Sequence, residues 1–245
     1  MENHPTRVHY DNPKMYRWKS WEAQTPFAPS FDVSVWVDSL GKNTADYLER
    51  LLISSIEIGE DMRDEQLEMF NRGNFIKDHK WTDYNIFDWG DEVLNSLVEK
   101  IYQSYVEYST ELCYDIVPKN KIWIRGWGVL LKPGEFLKHH AHSFHENTFL
   151  SGNISLTDIA TTTDYYFPYL GWYFGYWQCK NVPGNMTIFP SWLEHRVDRN
   201  TTNVNRFSIA FDLFTEQSME YVGKNRNESS GLQTILLLSK RMDLI

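Results

Sequence analysis

Residues 187–214 read TIFPSWLEHRVDRNTTNVNRFSIAFDLF, and the pattern of the last nine decides the fold. Successive side chains of a strand face opposite ways. Arg206, Ser208 and Ala210 therefore share one face, and Phe207, Ile209 and Phe211 share the other. The apolar face needs a core. If the opposite face lines a barrel, its guanidinium needs an anionic partner, because an unpaired buried charge is very costly. A bound dicarboxylate would serve, since Arg grips a carboxylate in a bidentate fork and the Ser hydroxyl adds a donor. Eleven positions before Arg206, after the run NMTIFP and a Pro190–Ser191 turn, stands His195.

Working outward, the same texture extends back to Pro118. Short β-prone runs (IWIRGWGVLL, FLSGNISLTD, GWYFGYWQC, NMTIFP and RFSIAFDLF) are separated by Pro, Gly and Asn, which predicts an antiparallel sandwich or jelly roll. Ahead of it the period changes. Ala45, Leu48, Leu51, Leu52, Ile56 and Ile58 recur mostly three or four apart, as do Val93, Leu94, Leu97, Val98, Ile101, Tyr102 and Tyr105. These spacings predict helices over 44–58 and from Asp91 to about Cys113, packed on one outer face of the sheets. The expected organisation is a single domain over 1–245. It comprises an irregular N-terminal arm at 1–25, a helical support region at 26–120, the β core at 121–214 and a C-terminal extension at 215–245. The segment GLQTILLLSKRMDLI of that extension reads as a short helix.

Composition narrows the function. A chain of 245 residues with ten Trp and fourteen each of Tyr and Phe can bury a substantial core. Its formal charge of −9 and the absence of a Lys/Arg cluster argue against nucleic acid as a partner, because such binders present positive charge to the phosphates. No run approaches the apolar length of a membrane span, and residues 1–20 lack a signal-peptide core. A cytoplasmic protein is expected. Cys113 and Cys179 form no CxxC and are expected as reduced, buried thiols.

Residues 132–152, KPGEFLKHHAHSFHENTFLSG, crowd four histidines into seven positions, His139, His140, His142 and His145. Only His140 and His142 make an i, i+2 pair on one strand face after the Pro-Gly turn. Two neutral imidazoles there can hold a divalent transition metal such as Fe(II), with His139 pointing away. Taken alone, HxH is weak evidence and is better explained by a surface polar run. His195 can add a third ligand from a distant strand.

The order HxH, FPSWLEHRV and RxS resembles the Fe(II)- and 2-oxoglutarate-dependent oxygenase superfamily, in particular the branch of 2OG-Fe(II) oxygenases related to prolyl 4-hydroxylases and seen in bacteria and marine phages. The resemblance covers roughly residues 120–214, and its second block, 187–214, is the more specific. It implies a mainly β protein with flanking helices, a cupin-like double-stranded β-helix. It implies Fe(II) held by His140, His142 and His195 as the catalytic metal ligands, and 2-oxoglutarate bound through Arg206 and Ser208. It also implies a dioxygenase that hydroxylates an unactivated C–H bond of a peptide side chain or small molecule, consuming molecular oxygen and releasing succinate and CO2. The chain departs from the superfamily at His142, where Asp or Glu is usual, and within SGNISL, where Asn153, Ile154 and Ser155 replace aromatics.

Two other readings fit parts of the pattern. A three-histidine cupin dioxygenase would bind its substrate directly without 2-oxoglutarate, and a non-enzymatic jelly-roll binding or virion protein would leave the histidines solvated and Arg206 in an ordinary salt bridge. Substrate identity and oligomeric state are not written in the sequence. The aromatic stretch DYYFPYLGWYFGYWQ, 164–178, reads either as paired core strands or as a wall of the substrate pocket favouring an apolar or cyclic group.

Overall fold

The computed structural model describes residues 7–9, 14–20, 22–28, 30–60, 85–112, 121–143, 145–167, 176–219 and 236–237. Among them run twelve strands and two long helices: β1 (Arg7–His9), β2 (Met15–Lys19), β3 (Asp32–Ser39), α1 (Lys42–Glu60), α2 (Glu92–Glu111), β4 (Trp123–Leu131), β5 (Leu137–His140), β6 (Leu150–Ser155), β7 (Thr162–Tyr166), β8 (Tyr176–Lys180), β9 (Asn185–Pro190), β10 (Glu194–Val197), β11 (Arg206–Phe214) and β12 (Leu236–Leu237). Every strand pairing is antiparallel. An eight-stranded sheet has the order β1-β2-β3-β9-β6-β11-β4-β12, and a four-stranded sheet has the order β5-β10-β7-β8. This is the expected mainly β jelly roll with its helices outside.

The alternation along β11 sets the layers. Phe207, Ile209, Phe211 and Leu213 join the main core with Ala45, Leu48 and Leu52 of α1 and with Leu94, Leu97, Val98, Ile101, Tyr105 and Tyr108 of α2. The helical periods read from the sequence are thus the faces laid on the large sheet. Helix α2 starts where it does because the Asp91 side chain accepts hydrogen bonds from the Val93 and Leu94 amides at 2.8 and 3.1 Å, satisfying two otherwise orphan donors. The opposite face of β11 turns toward the small sheet. There Trp18, Val33, Val35, Tyr165, Phe167, Cys179, Phe189 and Leu193 form a second core. Cys179 is buried in it, as expected, and burial raises its thiol pKa. Cys113 lies outside the described residues.

The first expected segment needs correction. Residues 1–25, read as an irregular arm, contribute β1 and β2, and β2 pairs with β3 in register from Met15↔Trp36 to Lys19↔Asp32. β3 itself lies in the expected helical region yet joins the large sheet through β9. The reason is packing: Met15 and Trp18 are buried on β2, but mixed charge hides their spacing. Leu236–Leu237, expected within a short helix, form β12 against β4. The rest of that segment lies outside the described residues.

Gly126 in β4 marks a close approach. The Asn85 side chain accepts hydrogen bonds from the amides of Phe87 and Gly126 and donates to the Ile124 carbonyl, drawing the 3-10 turn Ile86–Asp88 onto the strand. A Cβ at Gly126 would lie 2.3 Å from Phe87 Cε2, and that ring is fully buried. Gly126→Ala is therefore expected to lower stability by about 1–3 kcal/mol through overpacking, seen as a lower urea midpoint at constant m-value; an unchanged midpoint contradicts the packing account.

Candidate metal centre

β5 and β10 are neighbours in the small sheet, and His140 and His195 are direct partners across them. Cross-strand partners project from the same face, so one of the two histidines from β10 and β5 does not have to reach for the other. His142 arrives differently. β5 ends at His140, and the chain bends so that the His142 amide donates to the Ser191 carbonyl at 2.9 Å. The i, i+2 relation read as a strand face is produced by a strand end and an anchored bend. The outcome is a group in which one potential ligand atom from each of His140, His142 and His195 lies within 4.8 Å of the others.

Hydrogen bonds orient the three rings. His140 Nδ1 bonds the Lys138 carbonyl at 2.7 Å, His195 Nδ1 the Leu193 carbonyl at 3.0 Å, and His142 Nδ1 the Asp212 carboxylate at 2.6 Å. With Nδ1 of each ring donating to an oxygen, Nε2 is the nitrogen suited to a metal. Burial, reinforced by the neighbouring His140 and His142, pushes the His195 pKa well below its usual value, so its lone pair is available at neutral pH. Tyr165 stacks behind His195 at 5.9 Å between ring centroids and Phe189 packs at 4.8 Å. The other two histidines of the cluster stay apart: His139 Nε2 is 3.2 Å from a Glu194 carboxylate oxygen, and His145 Nδ1 accepts the Asn147 amide.

The group opens onto a cavity of about 280 Å³ whose lining includes Trp127, Leu137, Asn153, Thr163, Phe189 and Ser208. Arg206 lies behind Ser208, 1% exposed. Its Nη1 meets Ser208 Oγ at a long 3.5 Å, and its Nη2 is buried with no hydrogen-bond partner among the described residues. Burial pulls its pKa down to about 10, with a smaller opposing influence from Tyr165, so it remains a cation at neutral pH. A buried guanidinium with an orphan donor fits an incoming carboxylate, and three converging imidazoles fit Fe(II); the residues present suit both groups.

The aromatic stretch divides. Tyr165, Phe167 and Trp177 belong to the second core, Tyr166 and Tyr176 pack in a tilted pair near Arg196, and residues 168–175 lie outside the described set. Among the described residues the cavity's aromatic wall comes from Trp127 and Phe189 instead. Asn153 lines the cavity, whereas Ile154 is core and Ser155 bonds Asn181. One site residue was missed in the sequence: Asp212, two positions beyond Ala210 on the same face of β11. Extending the alternation by one step would have found it.

Residues 171–212 match the family model described as "Putative 2OG-Fe(II) oxygenase". None of the curated proteins matches the chain by sequence. Among solved structures, a Pseudomonas putida prolyl-4-hydroxylase is 15% identical, with 74% of this chain and 87% of that chain covered and a TM-score of 0.50. A non-haem monooxygenase, ThoJ in its nickel complex, is 11% identical, with 82% and 77% covered and a TM-score of 0.53. Both share the fold. The family match spans His195 and Arg206, so the second sequence block carries the signature. The matched block, the shared fold and the histidine group make the chain similar to 2OG-Fe(II) oxygenases.

Alanine at His140, His142 or His195 is expected to abolish stoichiometric iron binding, while alanine at His139 or His145 leaves it intact. Metal content after anaerobic loading decides this. Retention of iron in both His140→Ala and His142→Ala contradicts the assignment.

Proposed function

We propose that the protein is a dioxygenase that hydroxylates an unactivated C–H bond of a peptide side chain or small molecule, with His140, His142 and His195 as the iron ligands and Arg206 with Ser208 as the 2-oxoglutarate carboxylate site. The observation that carries this reading is the buried Arg206 with its unpartnered Nη2. A direct-binding three-histidine dioxygenase has no need of a cation there, and a binding or virion domain would pair it with a carboxylate of its own.

Iron held by the three histidines and 2-oxoglutarate held by Arg206 and Ser208 would together activate molecular oxygen, one oxygen atom going to the succinate formed with CO2 and the other to the substrate C–H bond. The chain's residues provide place and environment. Arg206 offers a planar fork and Ser208 a hydroxyl, which together orient a distal carboxylate as a point charge alone would not. Neutral His195 keeps a lone pair directed at the metal position, and the Leu193 carbonyl fixes its tautomer. Trp127, Leu137 and Phe189 make the cavity largely apolar, which limits water at the reacting bond. Asn153 and Thr163 supply polar points on that wall, so the preferred substrate presents an apolar group beside one or two hydrogen-bonding atoms.

Succinate release from 2-oxoglutarate is expected to depend on Fe(II) and oxygen, and to proceed slowly without substrate. Arg206→Lys keeps a charge and loses the fork, so 2-oxoglutarate affinity is expected to fall by about 1.5–3 kcal/mol with iron binding retained. Calorimetric titration of iron-loaded protein measures it. Unchanged 2-oxoglutarate affinity favours the dioxygenase that dispenses with the cosubstrate.

A further inference from the structure

Three imidazoles bring no negative charge to a divalent metal, yet the structure keeps one buried carboxylate directly behind the ligand that stands where Asp or Glu is usual. Asp212 is 4% exposed. Its Oδ1 accepts from His142 Nδ1 at 2.6 Å and from Ser151 Oγ at 2.7 Å, and its Oδ2 accepts from Arg125 Nε at 3.1 Å and Nη2 at 2.8 Å. The other two histidines of the group donate to neutral backbone carbonyls. His142 Nδ1 bonds a carboxylate instead.

We infer that Asp212 is a positioning residue that acts through His142, supplying by a carboxylate–imidazole hydrogen bond the negative charge that the ligand positions lack. The inference rests on the reading of the three histidines as iron ligands. Its physical basis is that a carboxylate accepting from one ring nitrogen fixes the tautomer and raises the basicity of the other, and that such charge-assisted bonds are short and strong. A carboxylate kept only for Arg125 would need no second contact. Here the carboxylate is shared, with one oxygen turned to the ligand and the other to a guanidinium whose side chain is 29% exposed. Arg125 thus tempers the charge that reaches His142, and Ser151, itself bonded to Ser191 at 2.8 Å, keeps Oδ1 in place. Asp212 and Arg125 therefore tune the iron in opposite directions.

That opposition gives the test. The full-length protein and its Asp212→Asn and Arg125→Gln variants are titrated anaerobically with Fe(II), and the Fe(III)/Fe(II) midpoint potential of each loaded protein is measured. Asp212→Asn is expected to weaken Fe(II) binding 10–100-fold, the usual effect of losing such a partner, and to raise the potential. Arg125→Gln is expected to retain iron and lower the potential. Wild-type affinity and potential in a folded Asp212→Asn protein overturn the inference while the three-histidine reading stands. Where Asp212→Asn does not fold, Arg125→Gln decides, since an unchanged or raised potential overturns it. Failure of the wild-type chain to bind Fe(II) at all removes the three-histidine reading and the inference together.

Discussion

A guanidinium with 1% exposure and an unpartnered nitrogen is the constraint on which this architecture turns. Burying an unpaired charge costs several kcal/mol or more, and a fold that does so must recover the cost when an anion arrives. β11 makes the burial unavoidable. It lies inside the large sheet between β6 and β4, with one face under the helices, so whatever stands at 206, 208, 210 and 212 is enclosed against the small sheet. Arg206 and Asp212, at the two ends of that face, have opposite fates. Asp212 is held by His142, Ser151 and Arg125, and although burial alone would raise its pKa, these contacts hold the carboxyl well below the usual range. Arg206 has no comparable partner in the described structure. One polar end of the strand is finished internally, and the other keeps a buried donor without a partner among the described residues.

The site also shows how a sheet reduces the entropy needed to bring three potential metal ligands together. His140 and His195 are cross-strand partners on β5 and β10, so correct strand register places both. His142 follows from one bend anchored on Ser191. Pairing energy already needed by the fold thus supplies most of the preorganisation, and Tyr165 and Phe189 restrain His195 from behind. Tyr165 in turn fixes its hydroxyl on Thr187 at 2.7 Å, which links the second core to the site.

Much of this was legible in the sequence for a physical reason. Periods of 3.6 and 2 are local, so α1, α2, β4, β6, β9 and β11 could be read from residues such as Leu94, Leu97 and Ile101 or Phe207, Ile209 and Phe211. The histidine group could be proposed because its members recur at spacings that strands allow. What escaped depended on partners distant in sequence. β2 is a strand because β3 lies beside it, and MYRWK by itself shows no alternation clear enough to say so. Asp212 was hidden in a strand read mainly for its apolar residues, and its role depends on His142, seventy positions away. The aromatic stretch stayed open between core and wall for the same reason: composition around Tyr165 and Trp177 cannot tell an inner core from a cavity lining, whereas the register that aims Trp127 inward is a property of the whole sheet.

The central claim is that iron on the three histidines and 2-oxoglutarate on Arg206 meet in one cavity. Visible absorption of the Fe(II)-loaded protein under anaerobic 2-oxoglutarate titration tests it most directly, because a metal-to-ligand charge-transfer band forms only when the keto acid chelates the iron. The account predicts a broad, saturable band at one iron per chain that is lost in His195→Ala. Iron binding with no band at saturating 2-oxoglutarate would contradict it.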